Sequence, residues 1–313
     1  MHSDIVCVYH GNCIDGATSA AIILQAFESD NVKLIPIDYN YSDALIEKII
    51  EQSNNKTVYL LDFQLPTGTI IELTKTARRV VHIDHKAKED EQMLYIKNST
   101  NNYDYFHSTK YNTAYLLFIY LNKKYANNDD IIERINRKHI KKFLLAVRDR
   151  DLWLWLYPQS EAVTDYISMF INDIDKMRKI IFYGNFNKIY KYGLQINKYK
   201  YNTIDHIIRN VKPIIVNIDG HKIPIFNFNM FHSETLSILN AKYNNPVGAF
   251  WFNEDTVFIR FVTNPDNKVY ARDLVNILGS NGSHIHASTA TLSFRDFFEL
   301  VVSEDILPSR EET

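Results

Sequence analysis

This sequence predicts an α/β fold: a doubly wound parallel sheet with a second, smaller α/β domain joined to it by a long helical connector. Three observations carry that prediction. Short β-branched runs alternate with helix-length stretches through roughly the first 200 residues, the rhythm of β-α-β units. Those runs end abruptly in acids and imidazoles, as buried parallel strands do where they meet a ligand crevice. The 313 residues also exceed the size at which one core usually keeps growing, so two domains are expected.

Taken in order, residues 5–9 form a strand that passes through a loop into a helix over 16–28, with Ala20, Ile23, Leu24 and Phe27 on one face. Residues 32–37 make a second strand, 42–51 a helix opened by a serine cap, and 57–61 a third strand. Residues 66–76 carry proline at their start and read as a helix, followed by a strand at 80–83. Residues 112–121 are apolar on nearly all sides, as in a helix buried under a sheet, and 129–147 read as one long helix. The spacing of Ile189, Tyr192, Ile196, Tyr199 and Ile207 predicts the connector helix over 189–211, and the domain boundary is placed at residue 200. Beyond it, residues 214–218, 223–228, 247–252 and 257–262 are short strands, 271–278 a helix, and GSNGSHIHASTATLSF a glycine-bearing loop with a closing strand.

The strand ends hold the candidate chemistry. VYLLDF (58–63) delivers Asp62, RRVVHIDHK (78–86) delivers Asp84 and His85, and DIVCVYHGNCIDG (4–16) delivers His10 and Asp15. Hard oxygens and imidazoles converging on one crevice suit Mn²⁺, Mg²⁺ or Zn²⁺.

Composition narrows the partners. A formal net charge of −2 supplies no global basic field, which excludes long duplex nucleic acid and leaves short anionic substrates. Cys7 and Cys13 lie too close in the chain to frame a fold, which fits a reducing compartment. With no signal peptide and no apolar run near about 18 residues, a soluble cytoplasmic protein without a membrane partner is expected.

VYHGNCIDGATSA, VYLLDFQLP, VVHIDHK, AVRDRDLW and GSNGSHIHAS, in that order and spanning most of the chain, resemble the DHH phosphoesterase superfamily. That superfamily includes RecJ-like nucleases, nano-oligoribonucleases, cyclic-dinucleotide phosphodiesterases and inorganic pyrophosphatases. The resemblance implies a catalytic domain over 1–200 with two divalent ions, Mn²⁺ first among them, and a substrate-gripping domain over 201–313. It implies His10, Asp15, Asp62, His85 and Asp149 as metal ligands, Asp62 as the bridge, and Asp84 as an acid that orients its neighbour. The sequence departs from the family pattern in three places. Lys86 replaces the second histidine of the signature, Asn12 and Cys13 stand near the place of an aspartate in the first motif, and the terminal glycine-rich loop is thinned to SNGSH.

Two ions a few ångström apart repel unless a carboxylate lies between them, which gives Asp62 its physical role. Lys86 is read as a phosphate contact, together with Gly282, Ser283 and His284, and with Arg260 as a weaker fork. Asp151 competes with Asp149 for its role, Trp153 and Trp155 read as core or interdomain packing ahead of a base-stacking platform, and Cys13 as a buried thiol ahead of a soft ligand. The expected activity is metal-assisted hydrolysis of short nucleotides, namely oligonucleotides, cyclic dinucleotides or a nucleoside bisphosphate, with Asp62, His85 and Lys86 central. Alternatives are a catalytically weakened nucleotide-binding or regulatory protein of the same fold, or a pyrophosphate or polyphosphate hydrolase. Whether the chain works as a monomer or a homodimer stays open.

Overall fold

A computed structural model describes residues 4–85, 91–280 and 285–302. The chain divides into two compact units, Met1–Asn197 and Lys198–Thr313.

In the first unit the chain runs β1 (Ile5–His10), α1 (Ile14–Phe27), β2 (Val32–Ile37), α2 (Asp43–Ser53), β3 (Thr57–Leu61), α3 (Thr67–Thr76), β4 (Arg79–Asp84), α4 (Glu91–Ser99) and β5 (Tyr103–His107). All five strands are parallel, in the order β2-β1-β3-β4-β5. Alternate residues of each strand serve opposite faces. Cys7, Tyr9, Tyr59, Leu61, Val81 and Ile83 join one core, while Val6, Val8, Val58, Leu60 and Val80 join the other.

Five further helices follow in this unit: α5 (Thr113–Lys124), α6 (Asp129–Ile135), α7 (Ile140–Asp151), α8 (Ser160–Ser168) and α9 (Ile174–Tyr183). They share the Cys7 face with α1, while α2, α3 and α4 cover the other. The stretch expected as one helix over 129–147 is two: Asn128 caps the start of the first, and the chain leaves it at Asn136 before the second begins at Ile140. Helix α1 is buried from Asp15 to Ala26 on all sides rather than on one face, since it packs against α5, α6 and α9 as well as the sheet.

The connector is α10 (Phe186–Asn210), and the division between units falls inside it. The second unit adds β6 (Ile214–Ile218), β7 (His221–Asn227), α11 (His232–Tyr243), β8 (Val247–Asn253), β9 (Thr256–Val262), α12 (Ala271–Ile277), β10 (Ala287–Ser293), α13 (Phe294–Leu300) and β11 (Val301–Val302). Its mixed sheet has the order β10-β9-β8-β7-β6-β11, with only the β7–β8 pair parallel. One face packs on α12 and α13 through Ile223, Ile259, Phe261 and Leu274, the other on α11 through Phe226, Leu236 and Leu239. No helix among the described residues is long and apolar enough to cross a membrane.

The first loop is fixed by a close approach. A Cβ on Gly16 would stand 2.2 Å from the His10 carbonyl oxygen, a backbone atom that cannot swing aside. Helix propensity favours alanine over glycine by about 1 kcal/mol, but this contact outweighs it. Gly16→Ala should therefore destabilise the protein, by about 1–3 kcal/mol as for other overpacked sites. Thermal unfolding checks this, and a melting temperature equal to or above wild type would contradict it.

Candidate metal centre

The strand order reverses direction at β1, which has β2 on one side and β3 on the other. In open parallel sheets the crevice at such a point, beyond the carboxyl ends of the strands, is where ligands bind. His10 closes β1, Asp62 follows β3, His85 follows β4 and Asp15 sits in the first turn of α1. The topology thus brings four of the sequence-derived residues together.

Asp62 is the centre of the group. It is only 3% exposed, and its φ of +58° lies in the left-handed region, a conformation that aspartate tolerates better than most residues and that turns its side chain out of the strand's direction. Its two oxygens face different partners. Oδ2 lies 3.4 Å from His10 Nδ1 and accepts no hydrogen bond, while Oδ1 lies 3.4 Å from His85 Nε2. His85 Nε2 is also 3.6 Å from Asp15 Oδ2 and 3.4 Å from Asp151 Oδ2. Among the described residues, two groups of potential metal ligands form, His10 with Cys13 and Asp62, and Asp15 with Asp62 and His85. Within each, one donor atom per residue lies within 4.8 Å of the others. Asp62 belongs to both.

Asp15 is completely buried and also receives the start of α5. Its carboxylate accepts hydrogen bonds from Asn112 Nδ2 (2.6 Å), Thr113 N (2.7 Å) and Ala114 N (2.8 Å). A carboxylate oxygen has two lone pairs, so Oδ2, which accepts once, keeps one for a cation. Asp84 accepts the backbone N–H of His85 at 2.7 Å, and so holds the main chain of its neighbour. His10 is held by its surroundings: Asp38 Oδ1 lies 3.8 Å from Nε2, and the rings of Tyr39 and Phe63 stand 5.3 and 5.8 Å from the imidazole. Asp38 in turn accepts from Asn12 Nδ2 at 2.8 Å, the kind of outer support that orients metal-binding histidines. Asp38 was missed in the sequence although the strand at 32–37 runs into it just as 57–61 runs into Asp62.

Asp149, matched by resemblance to a metal ligand, is placed elsewhere. Its carboxylate accepts from Leu156 N (2.7 Å), Tyr157 N (3.3 Å) and Ser160 Oγ (2.5 Å), and it is 1% exposed. Residues two apart on a helix point about 200° apart, so when Asp149 faces α8, Asp151 faces the crevice. Asp151 Oδ2, buried and without a hydrogen bond, is the oxygen that meets His85. Trp153 and Trp155 are not core residues: they are 48% and 47% exposed, both at positive φ, with the Arg150 guanidinium over each ring. Arg260 lies on β9 in the second unit, where Nη2 reaches Ser233 Oγ at 3.5 Å and burial lowers its pKa. Lys86, Gly282, Ser283 and His284 lie outside the described residues.

Burial combined with carboxylate crowding sets the protonation. Burial and the charges of Asp151 and Asp62 push the Asp15 pKa well up. Burial lifts Asp151 to about 7 against the pull of His85, with the charge of Asp62 adding to the rise. Burial alone would lower His85, but Asp62, Asp15 and Asp151 raise it to about 9. Burial alone would likewise raise Asp62, but the flanking imidazoles outweigh it and hold this carboxylate below its ordinary range. Burial also pushes the Cys13 thiol up, helped by Asp62 and Asp15. A buried cluster of acids that must keep protons to coexist is one in which a divalent cation can take the protons' place, so the residues fit a metal.

No protein-family model matches the chain. Uncharacterized protein R106 of Acanthamoeba polyphaga mimivirus is 25% identical over 173 residues, 51% of this chain, and the match spans 36% of that relative's length. RecJ in complex with Mn²⁺ from Thermus thermophilus is similar with a TM-score of 0.56 at 10% identity, over 94% of this chain and 50% of the RecJ chain. An exopolyphosphatase-related protein from Bacteroides fragilis is similar with a TM-score of 0.51 at 13% identity, over 95% and 91% of the two chains. The chain shares the fold of these structures and of a solved DHH domain.

Two outcomes follow from the geometry. Asp149→Ala should destabilise the protein by about 1–3 kcal/mol, since it strands the buried Ser160 hydroxyl and the part-buried N–H groups of Leu156 and Tyr157, whereas Asp151→Asn should leave stability nearly unchanged and weaken metal binding. Unfolding midpoints beside metal titrations separate them, and equal loss of stability in both variants would contradict the assignment.

The second outcome concerns pH. In the metal-free protein Asp15 and Asp151 hold protons that the unfolded chain releases near pH 4, so stability falls as pH rises from about 4 to about 7. The contribution of His85, complete below about 6.5, is lost as pH rises towards its folded value of about 9. A cation replaces these protons, so the rise in melting temperature on adding Mn²⁺ should grow between about pH 5 and about pH 8. A Mn²⁺ shift independent of pH would contradict this.

Proposed function

We propose that the chain is a metal-dependent phosphoesterase that hydrolyses short nucleotide substrates: oligonucleotides, cyclic dinucleotides or a nucleoside bisphosphate. The observation that carries this reading is the position of Asp62, whose two carboxylate oxygens are each offered to a different group of ligands. Pairs of divalent ions a few ångström apart are the usual device for phosphoryl transfer to water. His10 would help to hold one ion, Asp15, His85 and Asp151 the other, and Asp62 both; Mn²⁺ is the first candidate, with Mg²⁺ or Zn²⁺ as alternatives.

Bound there, the ions would supply Lewis acidity toward a phosphoryl oxygen and a lowered pKa for the attacking water. The protein's own groups do the rest. The first unit fixes the ligands at rigid strand ends, and Asp38, Asp84 and the start of α5 keep them oriented. Lys86 is assigned to a non-bridging phosphate oxygen, because an ammonium beside two cations is favourable only when an anion lies between them. His284, with Gly282 and Ser283, and Arg260 are assigned to substrate, which makes the second unit the substrate-binding one.

A net charge of −2 supports short substrates over long strands, which need many neutralised phosphates. Free thiols at Cys7 and Cys13 support a cytoplasmic setting. Likeness to an exopolyphosphatase-related protein supports a second reading, pyrophosphate or polyphosphate hydrolysis.

The test is a panel of dinucleotides, short single strands, cyclic dinucleotides, a nucleoside bisphosphate and pyrophosphate, each with Mn²⁺, Mg²⁺ and Zn²⁺, read by chromatography. Mononucleotide release from short substrates is expected, with Asp62→Asn at least about 10³-fold slower, as for other central members of a catalytic unit. Phosphate release from pyrophosphate alone would favour the second reading, and turnover of long single strands as fast as dinucleotides would overturn the first. Lys86→Ala should lose roughly 10- to 150-fold in kcat/KM, the roughly 1.5–3 kcal/mol of a hydrogen bond to a charged group, with metal content unchanged. Loss of bound metal in that variant would show that the lysine is wrongly assigned.

A further inference from the structure

We propose that Cys13 is a thiolate ligand, so that the two metal positions differ in kind: one is built from sulfur, imidazole and carboxylate and takes a softer ion, the other from carboxylates and imidazole and takes a harder one. This rests on the metal reading given above and goes beyond it in assigning a donor and a selectivity to this chain.

The geometry points to Cys13 in three ways. Its sulfur, a ring nitrogen of His10 and an oxygen of Asp62 lie within 4.8 Å of one another. Three donors around one ion at about 2.0–2.3 Å stand no more than about 4.5 Å apart, so closure by a few tenths of an ångström suffices. The main chain of Cys13 is fixed, because the residue is the extended cap of α1 and its carbonyl oxygen accepts Ala17 N at 2.9 Å. Asp62 Oδ2 is buried, makes no hydrogen bond of normal geometry and lies on the His10 side of the carboxylate, 3.4 Å from that ring. A buried carboxylate oxygen left without a donor is costly unless a cation meets it.

The other cysteine supplies the contrast. Cys7 is completely buried in β1 within the apolar core and belongs to neither ligand group, so its thiol serves packing. The second position is rich in oxygen, with Asp15, Asp62 and the nearby Asp151 around His85, a set that suits Mn²⁺ or Mg²⁺. Thiolate with imidazole instead favours Zn²⁺, Co²⁺ or Fe²⁺.

Co²⁺ titration of the metal-free, full-length protein tests the assignment. Wild type is expected to develop visible ligand-field bands together with an intense near-ultraviolet sulfur-to-cobalt charge-transfer band. Cys7→Ser should keep both features, and Cys13→Ser should lose the charge-transfer band while the visible bands of the oxygen-rich position persist. Visible bands in wild type without the charge-transfer band would overturn the role of Cys13 and leave the metal centre standing. Absence of any cobalt spectrum would overturn the metal reading itself.

Should Cys13→Ser fail to fold, alkylation of the native wild-type protein followed by mass spectrometry gives the answer without a variant. Zn²⁺ should slow modification of Cys13 by about 10-fold or more, because coordination ties up the thiolate that alkylation needs, and equal modification with and without Zn²⁺ would overturn the proposal.

Discussion

Like charges that cannot be separated are the constraint on which this molecule turns. Asp15, Asp62 and Asp151 crowd around one imidazole in a site almost closed to water, and each carboxylate raises the cost of ionising another. Protons relieve that crowding in the metal-free protein, and divalent cations relieve it better. The strained backbone at Asp62 belongs to the same arrangement, since a residue at φ +58° is held there only because the surrounding strands over-determine it.

The sheet supplies that over-determination. Five parallel strands pair in register, so the ends of β1, β3 and β4 stand side by side and their terminal residues have no freedom to spread. Gly16 lets α1 start against the His10 carbonyl, which brings Asp15 within reach of His85, and the start of α5 then uses the same carboxylate as its cap. Packing, capping and charge therefore meet at single atoms. Asp149 shows the division of labour: one aspartate of the α7 terminus anchors the loop before α8, and the other faces the crevice.

Much of the first unit could be read from the chain because its central strands β1, β3 and β4 are buried on both faces and announce themselves as β-branched runs ending in charge. His10, Asp15, Asp62 and His85 were legible for that reason. The edge strand β5 was not, because YDYFH alternates polar and aromatic residues and buries less of its length. The helices α8 and α9 were missed where aromatic and charged residues blur the period, and α4 where only Met93 and Ile96 mark a buried side. The choice between Asp149 and Asp151 turned on one helical rotation, which motif matching does not resolve. Trp153 and Trp155 were misread because tryptophan usually packs inward, whereas here Arg150 covers their faces and the positive φ values turn them out. Cys7 lies in the apolar core and Cys13 beside His10 and Asp62, a difference that depends on which way a strand and a loop point.

Asp62 turns one carboxylate oxygen toward each ligand group, and the proposed function rests on its joining two cations there. Anomalous diffraction from crystals soaked in Mn²⁺ tests it most directly. Two manganese peaks about 3.5–4 Å apart, one beside each oxygen of Asp62, are the expected result, and a single peak, or peaks remote from Asp62, would contradict it.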